Sequence, residues 1–204
     1  MQVIKAVSKP SSPPPSRRPF IVGIGGTTRV GSTSERALAV ALDHAMTRGC
    51  EVLAFGAGQM PIEPYDPSRT ERSPQAQALV EALRRADGVI IATPAYHGGI
   101  SGLVKNTIDF VEDMRDDGAP YFEGRAVGCI ICAEGAQAMG TTLSALRGVI
   151  HALRGWPTPY GATVQSSTDP FGVRSGAADP AALRACRIVA DEVSRFAHMM
   201  VAAR

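Results

Sequence analysis

No run of apolar residues in this chain approaches the ~18 needed to cross a bilayer, so no membrane partner is expected. Charge of one sign is also missing. The formal net charge is +2 over 204 residues, which leaves no basic field for nucleic acid and no acidic coat. The missing acidity also weighs against a one-electron carrier of the acidic kind. Cysteine is sparse, at positions 50, 129, 132 and 186, too few for the disulfide framework of a secreted protein of this length. Cys129 and Cys132 have C-x-x-C spacing, but they lie in an apolar run that reads as a strand. Residues i and i+3 of a strand point to opposite faces, so two buried structural thiols are expected rather than a redox pair. The four histidines show no metal-ligand spacing with the cysteines, and no metal is expected. Residues 1–19 hold no apolar stretch of the kind a secretory leader needs. They are rich in Ser, Pro and basic side chains and read as a disordered tail before one domain over residues 20–204. Cytoplasmic location is the matching expectation.

Two familiar phosphate loops are absent as well. Gly26-x-x-x-x-Gly31 has the Walker spacing, but Ser32 follows where a lysine is required. Gly23-x-Gly25-x-x-Thr28 begins like a dinucleotide fingerprint and lacks its third glycine. The second strand ends in Phe55-Gly56 with no carboxylate for a ribose.

What is present is an alternation. Apolar runs at residues 20–26, 50–55, 87–93, 125–133 and 160–165 read as five strands. Between and after them, residues 34–48, 74–86, 103–114, 137–153 and 180–201 read as helices. Gly49 stops the first, Ser73 with Pro74 starts the second, and Asp179 with Pro180 starts the last. Strands apolar on both faces, alternating with helices, predict an α/β doubly wound parallel sheet. Five strands fit the flavodoxin-like order 2-1-3-4-5, in which ligands sit beyond the carboxyl ends of strands 1, 3 and 4.

The loops at those ends carry the candidate chemistry. The first, residues 25–34 (GGTTRVGSTS), offers three glycines, five hydroxyls and Arg29, no acid, and a helix N-terminus whose free N–H groups and dipole favour an anion. The set suits a monophosphate. The second, residues 93–102 (TPAYHGGISG), mixes Tyr96 and His97 with glycines that let backbone approach a flat ligand; a packed aromatic and a solvated histidine are the alternative. The third, residues 133–140, is built of small residues whose N–H groups are free to face a ring edge. No nucleophile, acid or base is legible from spacing.

The first loop, together with residues 93–106 (TPAYHGGISGLVKN), resembles the NADPH-dependent FMN reductase family, whose motifs run G-S-x-R-x-x-S and T-P-x-Y-x-x-x-x-x-G-x-L-K-N. The resemblance covers about residues 20–165. It implies that Thr27, Arg29, Ser32, Thr33 and Ser34 hold the FMN phosphate. It places Pro94, Ala95, Tyr96, His97 and Gly98 beside the isoalloxazine, with Glu134, Gly135 and Ala136 on its other edge. Two departures stand out: Gly-Thr replaces Gly-Ser in the first motif, and His97 stands where many members carry Asn. The resemblance further implies hydride transfer from NADPH or NADH to FMN, chemistry that belongs to the cofactor, so no catalytic residue is assigned. It also implies a homodimer or homotetramer packed through the helix at 103–114, where Ile108, Phe110 and Val111 serve either that contact or the protomer's own core. A flavin-dependent monooxygenase is the expected recipient of reduced FMN. An FMN-bound quinone, azo or metal-ion reductase, a flavodoxin-type carrier, and an α/β regulatory domain for another phosphorylated ligand are the alternatives. Arg69, Arg72 and Arg115 read as solvated charges rather than a clamp for a nucleotide 2′-phosphate.

Overall fold

The structure is a computed structural model that describes residues 17–203; residues 1–16, most of the expected tail, lie outside it. The parallel strands are β1 (Phe20–Gly25), β2 (Glu51–Phe55), β3 (Gly88–Tyr96), β5 (Ala126–Ala133) and β6 (Trp156–Gln165). Their order is β2-β1-β3-β5-β6, the order expected of five parallel strands. One addition renumbers it. A two-residue strand, β4 (Gly99–Ile100), folds back antiparallel on the end of β3, pairing Ala95 with Ile100 and Tyr96 with Gly99.

Helices cover both faces. α1 (Thr33–Thr47) and α5 (Pro180–Ala202) close one side, burying Leu38, Leu42, Val189 and Val193 against Ile21, Ile90 and Ile130. α2 (Pro74–Arg85), α3 (Gly102–Asp109) and α4 (Ala136–Ala152) close the other, with Leu79, Leu83, Ile108 and Leu146 over Val22, Ile91 and Val127. The predicted caps are present: the Ser73 and Asp179 side chains accept from Ala76 N and Ala181 N, each with Pro at the helix start. Cys129 lies in the second of these cores and Cys132 in the first, so the C-x-x-C pair is split by the sheet. Burial pushes the Cys129 thiol up to about 12.

Several boundaries differ from those expected. The helix foreseen over 103–114 ends at Asp109 and tightens into a 3₁₀ turn, Phe110–Met114. Ile108, Phe110 and Val111 are buried in the protomer's core. The last strand begins four residues early, at Trp156, because β6 is an edge strand and its register slips between Val127 and Cys129. Prolines are tolerated at an edge or bulge, which accommodates Pro157 and Pro159. The opposite edge, β2, is mostly exposed rather than buried on both faces.

Two buried charges pin the amino ends of the strands. Asp87 accepts from Phe20 N at 2.9 Å and takes both guanidinium nitrogens of Arg17 at 2.7 and 2.8 Å. Arg125 donates to the carbonyls of Arg84, Ala86, Tyr121 and Glu123. Arg72 pairs with Asp113 through two hydrogen bonds and lies over the Tyr65 ring, which holds the Asp113 carboxyl below its ordinary range. Among the candidates for a 2′-phosphate clamp, Arg72 is thereby committed to the fold, and Arg115 pairs with Glu112.

Close approach of α5 to the sheet depends on glycine. A Cβ on Gly88 would lie 2.6 Å from Val193 Cγ1, and one on Gly128 would lie 2.9 Å from Val193 Cγ2 and strike Val189 Cγ1 as well. Both valines are β-branched and stiff on a helix. Gly128→Ala is therefore expected to destabilise the protein by ~1–3 kcal/mol, lowering Tm by about 2–4 °C for each kcal/mol. Gly118→Ala, where nothing lies within 4 Å, should leave a thermal melt unchanged.

Candidate functional site

The carboxyl ends of β1, β3 and β5 open into one cleft of about 340 Å³. Its first wall is the turn from β1 into α1. Ser32 is the N-cap: its Oγ accepts from Glu35 N at 3.3 Å. That uses one of the helix's first amides and leaves those of Thr33 and Ser34 without an intrahelical acceptor. Thr27 shapes the turn, its Oγ1 accepting from Arg29 N at 3.0 Å. Thr27, Arg29, Ser32, Thr33 and Ser34 all line the cleft, so this wall presents hydroxyls, amides and a guanidinium.

The second wall is the hairpin of β3 and β4. His97 and Gly98 form its two-residue turn, with φ of 52° and 79°. Two successive positive φ values are what a type I′ turn requires. Asn and Gly adopt them most readily, with His among the tolerated residues. His97 thus fills a backbone role that Asn takes readily. Thr93 anchors the base of the hairpin, its Oγ1 accepting from Ser101 N at 3.1 Å. Thr141 of α4 holds the tip by donating to Gly98 O at 3.2 Å. Pro94, Ala95, Tyr96 and His97 line the cleft. Tyr96 is 55% exposed, so its ring is open to a stacking partner.

The third wall is the step from β5 into α4. Gly135 is the N-cap and makes no side-chain cap, so the first amides of α4 also lack intrahelical acceptors. Glu134 and Gly135 line the cleft. Of the thirteen candidate residues named from sequence, Gly98 and Ala136 alone do not; they sit at the hairpin tip and the first turn of α4.

Sequence reasoning missed several participants. Cys132 and Ser166 complete the lining together with Ala133 and Ala138, which fall within the third loop read from sequence. Glu35 was missed too. Its carboxylate accepts from Gly31 N and, at 3.3 Å, from Ala57 N, tying the first loop to the turn after β2. Asn106 ties down the long loop after β2, donating to Glu63 O at 2.9 Å and accepting from Tyr65 N at 2.8 Å. Both anchors lie behind the cleft walls.

A model of the NADPH-dependent FMN reductase family matches residues 19–169. The chain belongs to this family. An FMN-dependent NADPH-azoreductase of Staphylococcus aureus is 29% identical over 139 residues, 66% of this chain and 70% of that one. Among solved structures, an NADH:FMN oxidoreductase in its apo form superposes with a TM-score of 0.66 at 22% identity, covering 86% of this chain and 88% of that one. The NAD(P)H:acceptor oxidoreductase FerB of Paracoccus denitrificans gives 0.68 at 16% identity, covering 90% and 97%. At these identities the superpositions speak for the fold. This family member fits FMN on its own geometry: donors without acceptors gather at the α1 end, where a phosphate would sit, and small or flat residues line the rest.

Glu35 provides a check on the site's construction. Glu35→Ala frees the amides of Gly31 and Ala57, and their hydrogen exchange should quicken by about tenfold or more. Amides of β3 should keep their native protection. Unchanged exchange at Gly31 would remove Glu35 from the support of this wall.

Proposed function

We propose that this chain is an NAD(P)H-dependent FMN reductase whose flavin site is the cleft at the ends of β1, β3 and β5. One observation carries the reading: a single cleft combines an acceptor-poor, donor-rich pole at the start of α1 with an open tyrosine and small residues at the other end. That is the polarity of a phosphorylated, flat heterocycle. Bound FMN supplies the redox chemistry, accepting hydride from the reduced nicotinamide and passing electrons on.

The residues bind and orient. Arg29 and the hydroxyls of Thr27, Thr33 and Ser34 hold the phosphate, with the α1 amides beneath it. Ser32 fixes the helix start that aims those amides. Pro94, Ala95 and Tyr96 flank the ring, and the Gly135 end of α4 offers backbone N–H groups to its polar edge. His97 and Gly98 set the turn that presents Tyr96. Cytoplasmic location, assembly as a homodimer or homotetramer, and delivery of reduced FMN to a flavin-dependent monooxygenase complete the reading. Likeness to an azoreductase favours a second form of it, in which FMN stays bound and an azo compound receives the electrons.

The test is to strip the purified protein of flavin and follow NADPH and NADH oxidation under argon, with and without FMN. Oxidation that requires both protein and FMN, at rates well above free FMN, is the expected result. FMN binding with both nucleotides untouched would leave an electron carrier instead.

A further inference from the structure

A second, larger groove of about 600 Å³ opens beside the cleft. It runs between the first loop and the segment after β6. It shares Arg29, Thr33, Glu134 and Ser166 with the cleft and none of residues 94–98. The groove therefore continues the site from its phosphate pole and leads away from the nicotinamide-accessible ring.

Its lining is unusual in charge. Arg29, Arg36 and Arg174 all border it, and none of the three pairs with a carboxylate among the described residues. Two acids are present. Asp169 is already spent, its carboxylate accepting from the amides of Val173, Arg174 and Ser175 at 2.7–3.0 Å. Glu134 remains as an acceptor. The far wall is apolar, with Phe171 partly buried on the core and Val173 60% exposed. Arg36 and Arg174 each donate to a backbone carbonyl, of Gly31 and Ser167, and keep their remaining guanidinium donors and their charge free of any carboxylate. Guanidiniums next to a phosphate site match a second phosphate, the Glu134 carboxylate at the near end matches a ribose hydroxyl, and the apolar far wall matches an adenine.

We propose that this groove receives the adenylyl half of a flavin dinucleotide, so that the protein takes FAD as well as FMN. The inference rests on the flavin reading above. An adenylate also belongs to NADPH, but that nucleotide must bring its nicotinamide to the ring beside Tyr96, at the other end of the cleft. The groove's continuity with Arg29 and Thr33 favours the flavin's own adenylate.

Apo protein titrated with FMN and with FAD decides it, using the wild type, Arg174→Ala and Val173→Asp, neither position being part of the FMN cleft. FAD should bind the wild type at least as tightly as FMN. Arg174→Ala should weaken FAD by about tenfold, the worth of one charge-assisted contact, Val173→Asp should weaken it by about as much by setting a carboxylate in the apolar wall near the second phosphate, and both should leave FMN within about twofold. FMN binding with FAD more than about tenfold weaker would overturn the inference and leave the flavin reading standing. Equal losses for both flavins would overturn it too. A rise in the KM for NADPH with both flavin affinities unchanged would assign the groove to the pyridine nucleotide instead. If neither flavin binds, the flavin reading itself fails.

Discussion

A helix cannot bond its own first amides, and the rest of this site depends on where α1 leaves them. Ser32 takes one, at Glu35 N. Thr33 and Ser34, whose amides have no intrahelical acceptor, line the cleft next to a loop rich in hydroxyls and glycine. Had an acid stood among residues 27–34, it would have filled the pole and excluded an anion. The nearest acid, Glu35, is turned away, fastening Gly31 and Ala57. The first turn is thus held rigid by a carboxylate that does not compete for the ligand.

The other walls reach this pole because of strand order. Placing β1 between β2 and β3, with β5 beyond, brings three carboxyl ends side by side at the point where the winding reverses. Glycines make the layers thin enough for this arrangement. Gly88 and Gly128 let α5 lie directly on the sheet, and buried Asp87 and Arg125 lock the amino ends, far from the cleft. The distribution is functional in its physics: stability is concentrated at one end of the strands, and unsatisfied donors and an open aromatic are left at the other.

Much of this was legible in the sequence. Strands apolar on both faces, alternating with helices, marked a parallel sheet, their number fitted the flavodoxin-like order, and the Ser-Pro and Asp-Pro pairs marked two helix starts. The opposite faces of Cys129 and Cys132 followed from strand periodicity alone. The hairpin was not legible, because its turn uses His97 at a positive φ, a role that Asn-Gly would have advertised. The early start of β6 was hidden by Pro157 and Pro159, which count against a strand until the strand is known to lie at an edge. Ser166 and Glu35 escaped for a different reason: Ser166 reaches the cleft through strand order and Glu35 reaches across to Ala57, and nothing local distinguishes either from a surface residue. Asn106 closes the second motif, but its hold on the long loop after β2 is a contact distant in sequence. The three loops were found because each carries its chemistry within ten residues.

The central claim is that the α1 pole is a phosphate cradle. Titrating the apo protein with FMN and with riboflavin, which differ only in the phosphate, tests it most directly. FMN should bind tighter by about a hundredfold or more, the worth of two or more charge-assisted hydrogen bonds. Equal affinity for the two flavins would contradict the account, because the donors gathered at the start of α1 would then hold nothing.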